Sequence, residues 1–162
     1  MNLLDDIPAG AVIGLDTAPL IYYLEGHPDW GPLVRPLFDT RIIPGTNVAV
    51  TATITLAEVL VKPLRSGRAD LVASYRTFLT GTPHLSLAAI TSGVAEQGAD
   101  FRARYGLRLP DACQVAAALA ARATLFVTND AQFRRVRELT VVVLSDYLPP
   151  PAPPAAAAGP VP

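Results

Sequence analysis

LPDACQVAAALAARATLFVTND, residues 109–130, is a run of small apolar residues with a carboxylate near each end. Pro110 suits the first turn of a helix, where its missing N–H is no loss. Ala116, Ala117, Ala118, Ala120 and Ala121 then predict a helix that a neighbour can approach closely. TLFV is short and continuously apolar, the pattern of a strand covered on both faces. Asp111 opens the helix and Asp130 follows the strand. A single acid at such a boundary is an ordinary cap, whereas two at the same kind of boundary direct attention to a site.

Working outward, the same alternation recurs. AVIGL (11–15) reads as a short strand ending in Asp16, and TAPLIYYLE as a helix with Pro19 in its first turn. LVRPLFDTRI is helical or irregular, and VAVTATI (48–54) is a β-branched strand. Thr55 and Glu58 stand three apart, as in a capping box, which places Glu58 in the first turn of the helix TLAEVLVKPL. RADLVASYRTFL is amphipathic through Leu71, Tyr75, Phe78 and Leu79, and Gly81 and Pro83 end it. HLSLAAI is a short strand or extended segment. GVAEQGADFRARYG is a helix with Gly106 at its C-terminal cap. AQFRRVREL is a short basic helix and TVVVL a last strand. Short apolar strands alternating with helices predict an α/β fold, a three-layer sandwich with a central, mainly parallel sheet. Ligands of such sheets sit beyond the carboxyl ends of the strands.

Composition sets the limits. Of 162 residues 51% are hydrophobic and 17% charged, a globular balance for one domain over residues 1–148. PPPAPPAAAAGPVP lies within 149–162, a Pro/Ala-rich tail with almost nothing to bury, which predicts an extended, disordered segment. Cys113 is the sole cysteine, so an internal disulfide is excluded. The N-terminal stretch is acidic and broken by Pro8 and Gly10, unlike a signal peptide, and no apolar run is long enough to span a membrane; the expectation is a cytoplasmic protein. Net charge is −1, but residues 101–137 hold seven arginines against Asp111 and Asp130 alone.

Asp16, Glu58, Asp111 and Asp130 each have an ordinary role open to them, because a carboxylate near a helix start satisfies free amides and complements the helix dipole. Taken together they mark four junctions where charge is otherwise sparse. Clustered acids raise one another's pKa and need a cation. All-oxygen ligands select Mg²⁺ or Mn²⁺ over zinc.

The stretches GLDTAPLIYYLEGHP (14–28), TITLAEVLVKPL (53–64) and YGLRLPDACQVAAALAARATLFVTND (105–130), with the final VVVL, resemble the PIN-domain ribonucleases of the VapC-like toxin kind. The resemblance spans about residues 11 to 148, and its specificity lies in the order and spacing of the four acids. It implies that Asp16, Glu58, Asp111 and Asp130 are the catalytic, metal-binding set, with Thr17 and Thr128 supporting it. Ala18 departs from the pattern, since many members have Asn or Ser there. The implied activity is endoribonuclease hydrolysis of RNA with Mg²⁺ or Mn²⁺, leaving a 5′-phosphate. A toxin-antitoxin pairing, a small cognate antitoxin and a homodimer are implied as well. Arg102, Arg104, Arg108, Arg134 and Arg135, with Arg137, are candidates to hold RNA phosphates.

Two alternatives compete. A phosphatase of the haloacid dehalogenase type also begins with an Asp after its first strand, but it carries a second Asp two positions on, where this chain has Ala18. A catalytically silent PIN-like scaffold binding RNA or protein would be marked by a lost acid, and none of the four is lost.

Overall fold

The computed structural model describes residues 2–148. The Pro/Ala-rich tail at 149–162 lies outside the described residues. Five strands, β1 (Val12–Leu15), β2 (Val48–Ala52), β3 (Leu85–Ala88), β4 (Leu125–Thr128) and β5 (Thr140–Val143), form one sheet in the order β3-β2-β1-β4-β5. Every pairing is parallel, with Gly14 of β1 beside Val50 on one side and Phe126 on the other. The expected α/β sandwich is therefore the observed architecture.

Alternating side chains divide the core between the two faces of the sheet, as the period of a strand requires. Ile13, Leu15, Ala49, Leu125 and Val127 pack with Leu20, Val34, Phe38 and Leu79 from α1 (Thr17–Leu24), α2 (Gly31–Pro36), the π-helical turn Leu37–Ile42 and α4 (Ala69–Gly81). Val59 of α3 (Thr53–Arg65) joins that layer. Val50, Ala52 and Phe126 face the opposite way, against Val94 and Phe101 of α5 (Ser92–Tyr105) and the alanines of α6 (Leu109–Ala120). Two glycines make that second layer thin. A Cβ on Gly14 would lie 2.8 Å from the Ala118 Cβ, and one on Gly98 would lie 2.9 Å from the Cys113 Sγ. Small residues thus bring α6 hard against β1, and α5 hard against α6.

The chain winds outward from β1 through β2 to β3, then crosses back to β4 and β5. Its direction reverses between β1 and β4, so the crevice expected of such folds opens at the carboxyl ends of those two strands.

Two local readings change, and a third, helical as expected, is resolved into two pieces. The capping box is absent: α3 starts at Thr53 with Ala52 as its N-cap, and Thr55 is fully buried inside the helix. Glu58 therefore sits in the second turn. The physical reason is that β2 runs into α3 without a loop, which turns the Thr55 hydroxyl toward buried hydroxyl partners instead of a helix end. Ala131–Arg135 is a 3₁₀ helix, not an α-helix, and extended backbone at Val136 ends it. LVRPLFDTRI divides at Pro36, whose missing N–H breaks the α ladder, and the chain resumes as a π turn closed by the Ile43 N–H on the Phe38 carbonyl at 2.9 Å. Among the described residues no helix is long and apolar enough to cross a membrane.

Candidate functional site

Asp16 leaves the end of β1 and caps α1. Its Oδ1 accepts from the Thr17 N–H at 2.7 Å, and its Oδ2 accepts from the Thr128 hydroxyl at 2.5 Å. Thr128 ends β4, and its Oγ1 in turn accepts from the Asp130 N–H at 3.0 Å. One buried hydroxyl thus ties the first acid to the loop that carries the last. Burial pushes the Asp16 carboxyl up to about 6; the bonds from Thr128 and Thr17 oppose that rise, and the charges of Asp111 and Glu58 add to it. Asp16 therefore sits within the electrostatic reach of Asp111 and Glu58.

Glu58 is held from the opposite side. Its Oε2 accepts from the Thr17 hydroxyl and, at 3.1 Å, from Gln114 Nε2. Thr17 Oγ1 also accepts from Gln114 Nε2 at 2.9 Å and lies 3.2 Å from Thr55 Oγ1, which lies 2.7 Å from Thr51 Oγ1. A hydroxyl has one proton to give, and a carboxylate can only accept. With Thr17 donating to Glu58, Thr55 must donate to Thr17 and Thr51 to Thr55. The result is a directed chain, Thr51 to Thr55 to Thr17 to Glu58, with Gln114 clamping its end.

Asp111 lies in the first turn of α6 and is 5% exposed. Arg108 grips it through Nε at 2.8 Å and Nη2 at 3.1 Å. The Arg108 guanidinium is stabilised first by Asp111 and further by the charges of Asp130 and Glu58, so it stands among three of the acids. Asp130 caps the 3₁₀ helix through the Gln132 N–H at 2.8 Å. The four carboxylates thus surround the β1/β4 crevice, but they do not close on one point. Among the described residues no three Asp, Glu, His or Cys side chains are close enough to hold a metal ion together.

The donor chemistry nevertheless suits a hard cation. The four acids and their threonine partners offer only oxygen, burial raises Asp16 with the charges of Asp111 and Glu58 adding to it, and Gln114 Oε1 is buried without a hydrogen-bond partner. Gln114 is the residue that sequence reasoning missed. It was the lone strongly polar side chain between Asp111 and Arg122, three positions after Asp111, and so on the same side of the helix. Thr51 and Thr55 were missed as site residues for lack of any charge. Asn129, which donates to the Tyr22 hydroxyl at 3.0 Å, fixes α1 against the same loop.

The arginines fall into separate settings. Arg104 pairs with Asp100 at 2.6 Å and with Glu138 at 2.8 Å, and Arg134 pairs with Asp146 at 2.6 Å. Arg135 donates to the Tyr105 carbonyl at 3.3 Å. Arg102 is exposed on α5. His27 Nδ1 accepts from the Asp29 and Trp30 amides at 3.2 and 3.3 Å, a turn contact.

Residues 13–139 match the PIN domain family. No curated protein matches the chain significantly. Among solved structures, a toxin-antitoxin complex from Klebsiella pneumoniae superposes with a TM-score of 0.62 at 24% identity, covering 83% of this chain and 98% of that one. VapC20 of Mycobacterium tuberculosis, described as a Sarcin-Ricin loop cleaving toxin, gives 0.62 at 15% identity over 78% and 99% of the two chains. DNA-bound VapBC from Salmonella typhimurium gives 0.60 at 18% identity over 83% and 98%. At these identities the likeness is one of fold.

Proposed function

The chain belongs to the PIN-domain family, and from that premise we propose that residues 1–148 form a Mg²⁺- or Mn²⁺-dependent endoribonuclease domain, the toxin of a type II toxin-antitoxin pair. What supports this reading is that Asp16 lies within electrostatic reach of Glu58 and Asp111 at the β1/β4 crevice, with Asp130 following β4 there, and that burial raises the Asp16 carboxyl with the charges of Asp111 and Glu58 adding to the rise. A divalent cation bound by these acids supplies water activation and neutralises charge on the attacked phosphate.

The chain's own residues supply the rest. Thr17 and Thr128 fix the rotamers of Glu58 and Asp16, and Gln114 holds Glu58 toward Thr17. Such outer partners set the orientation of the oxygens that face a metal. Asp111 has the exposed Arg108 side chain as its partner. With Arg108 displaced, the Asp111 carboxylate would be available, together with Asp16, Glu58 and Asp130, to hold such a cation. No step in this scheme requires His27, His84 or Cys113.

The substrate in this reading is RNA, and the product carries a 5′-phosphate. The toxin-antitoxin complexes that share the fold support a small antitoxin protein as partner. A homodimer in the cytoplasm completes the proposal.

The test is cleavage of a mixed, end-labelled RNA pool by the purified protein in Mn²⁺, Mg²⁺ or EDTA, beside Asp16→Asn and Asp111→Asn. Metal-dependent cutting lost in both variants is the expected outcome. The loss should exceed the ~100-fold that removal of an outer-shell partner costs a metal site. Asp111→Asn cleaving as fast as the parent would overturn the assignment. Absence of both cutting and Mn²⁺ binding would favour a silent PIN-like scaffold.

A further inference from the structure

A second charged feature lies beside the acids. Arg104, Tyr105, Arg134, Arg135 and Arg137 line an open groove of about 660 Å³. Two of its arginines are committed: Arg104 to Asp100 and Glu138, and Arg134 to Asp146. The other two are not. Arg135 makes one bond to a neutral carbonyl, that of Tyr105, and among the described residues the Arg137 side chain makes no hydrogen bond or ion pair; only its backbone N–H is used, on Glu138. Among the described residues neither guanidinium has an ion-pair partner.

The groove is tied to the crevice on both walls. On one, Asp130 caps the five-residue 3₁₀ helix whose last residues are Arg134 and Arg135, a rise of roughly 10 Å. On the other, Tyr105 ends α5, Gly106 turns left-handed at φ 69°, and the chain reaches Asp111 through Arg108. That turn sets the Tyr105 carbonyl beneath Arg135. One ring face of Tyr105 is taken by the Arg104 guanidinium, 4.8 Å from its centroid, and its hydroxyl is tied to Glu138. Base stacking is thereby disfavoured, and what remains is charge recognition of a backbone.

We propose that this groove is a subsite for the phosphate backbone of RNA leading toward the acid crevice, with Arg135 and Arg137 as its phosphate contacts and Arg104 and Arg134 as its fixed walls. The identification of RNA as the polyanion rests on the nuclease reading above. The arginines thereby differ in role: Arg135 and Arg137 bind, Arg104 and Arg134 shape the groove, and Arg108 serves the acids.

The experiment is fluorescence anisotropy of a labelled oligouridylate with the full chain in EDTA over a series of salt concentrations. The double variant Arg135→Ala/Arg137→Ala is compared with the parent and with Arg65→Ala/Arg76→Ala, which removes equal charge from α3 and α4. Each lost phosphate contact lowers the log–log salt slope by about 0.7 for a single strand, so the groove variant should lose roughly 1.4 and bind about tenfold more weakly at low salt. The α3/α4 variant should match the parent, and thermal melting should show all three folded. An unchanged slope in the groove variant, or no salt-dependent binding by the parent, overturns the subsite. So does displacement of the RNA by a polyglutamate peptide at equal charge concentration, which would make the groove a site for acidic protein.

A parallel Mn²⁺ cleavage assay separates the two proposals. Binding lost in the groove variant, with no cleavage by the parent, would keep the groove and remove the nuclease. Cleavage by the parent, with KM unchanged in the groove variant, would keep the nuclease and remove the groove.

Discussion

The acid crevice and the arginine groove sit side by side but handle charge in opposite ways. In the crevice, Asp16 and Asp111 are buried, of like sign, and held largely by neutral donors or by one exposed arginine. In the groove, two exposed arginines meet acids from other stretches of chain, Arg104 with Glu138 and Arg134 with Asp146, while Arg135 and Arg137 have no acid partner among the described residues. The titration of one carboxyl in each place records the difference. Burial raises Asp16 to about 6 despite its hydrogen bonds. Burial also acts upward on Glu138, but the bonds from Arg104, Tyr105 and the Arg137 amide outweigh it and leave that carboxyl below its ordinary value. A protein keeps unpaired like charges together where a further cation or a reaction needs them, and pairs them off where it needs only shape.

The largest effect that would break this comparison concerns pH. The folded Asp16 carboxyl titrates near 6 against an ordinary value of 3.8. Between those values the folded chain holds a proton that the unfolded chain has released, so stability must fall as pH rises through the window. A difference of that size corresponds to roughly 3 kcal/mol. Urea unfolding in EDTA at intervals from pH 4 to 7 should show the decline in the parent and a flatter profile in Asp16→Asn. Added Mn²⁺ should reverse the loss at the upper end. Parallel profiles for parent and variant would mean that the crevice does not strain its acid.

Gln114 is next in size. Gln114→Leu keeps the volume but leaves Glu58 and Thr17 without their shared donor. Loss of an outer partner of this kind costs about 10–100-fold in metal affinity or activity. The checks are Mn²⁺ titration and the RNA cleavage rate, with melting to show that the helix still packs. No change in either would reduce Gln114 to a core amide.

The same contrast explains what the sequence made legible. The alternation of short apolar strands with helices was enough for the parallel sandwich, because a strand buried on both faces must be apolar throughout. The four acids stood out because charge is rare at those junctions. Gln114, Thr51 and Thr55 did not, since a neutral polar side chain in a helix or strand carries no mark of which buried partner it will meet. The capping box failed for a related reason: the spacing of Thr55 and Glu58 fits a box, but the hydroxyl is buried against Thr17, 38 positions away. The arginines were legible as charge but not as function. Which of them are neutralised depends on Glu138 and Asp146, whose approach is a product of the tertiary fold.

The smallest effect tests the residue that joins the two regions. Arg108 binds Asp111 with both prongs, and its own side chain is 79% exposed while that of Asp111 is 7% exposed, so solvent screens the arginine end and the contact is at the upper end of the scale for exposed pairs, about 1 kcal/mol. A cation held by Asp111 would compete with that contact. Arg108→Ala removes the competitor and a nearby positive charge, and Mn²⁺ should then bind up to about fivefold more tightly, the factor that 1 kcal/mol represents. Calorimetric titration of parent and variant at one ionic strength measures it. Weaker Mn²⁺ binding in Arg108→Ala would reverse the argument: the arginine would then be positioning Asp111 for the metal, and the crevice would depend on a positive charge in the same way as the groove beside it.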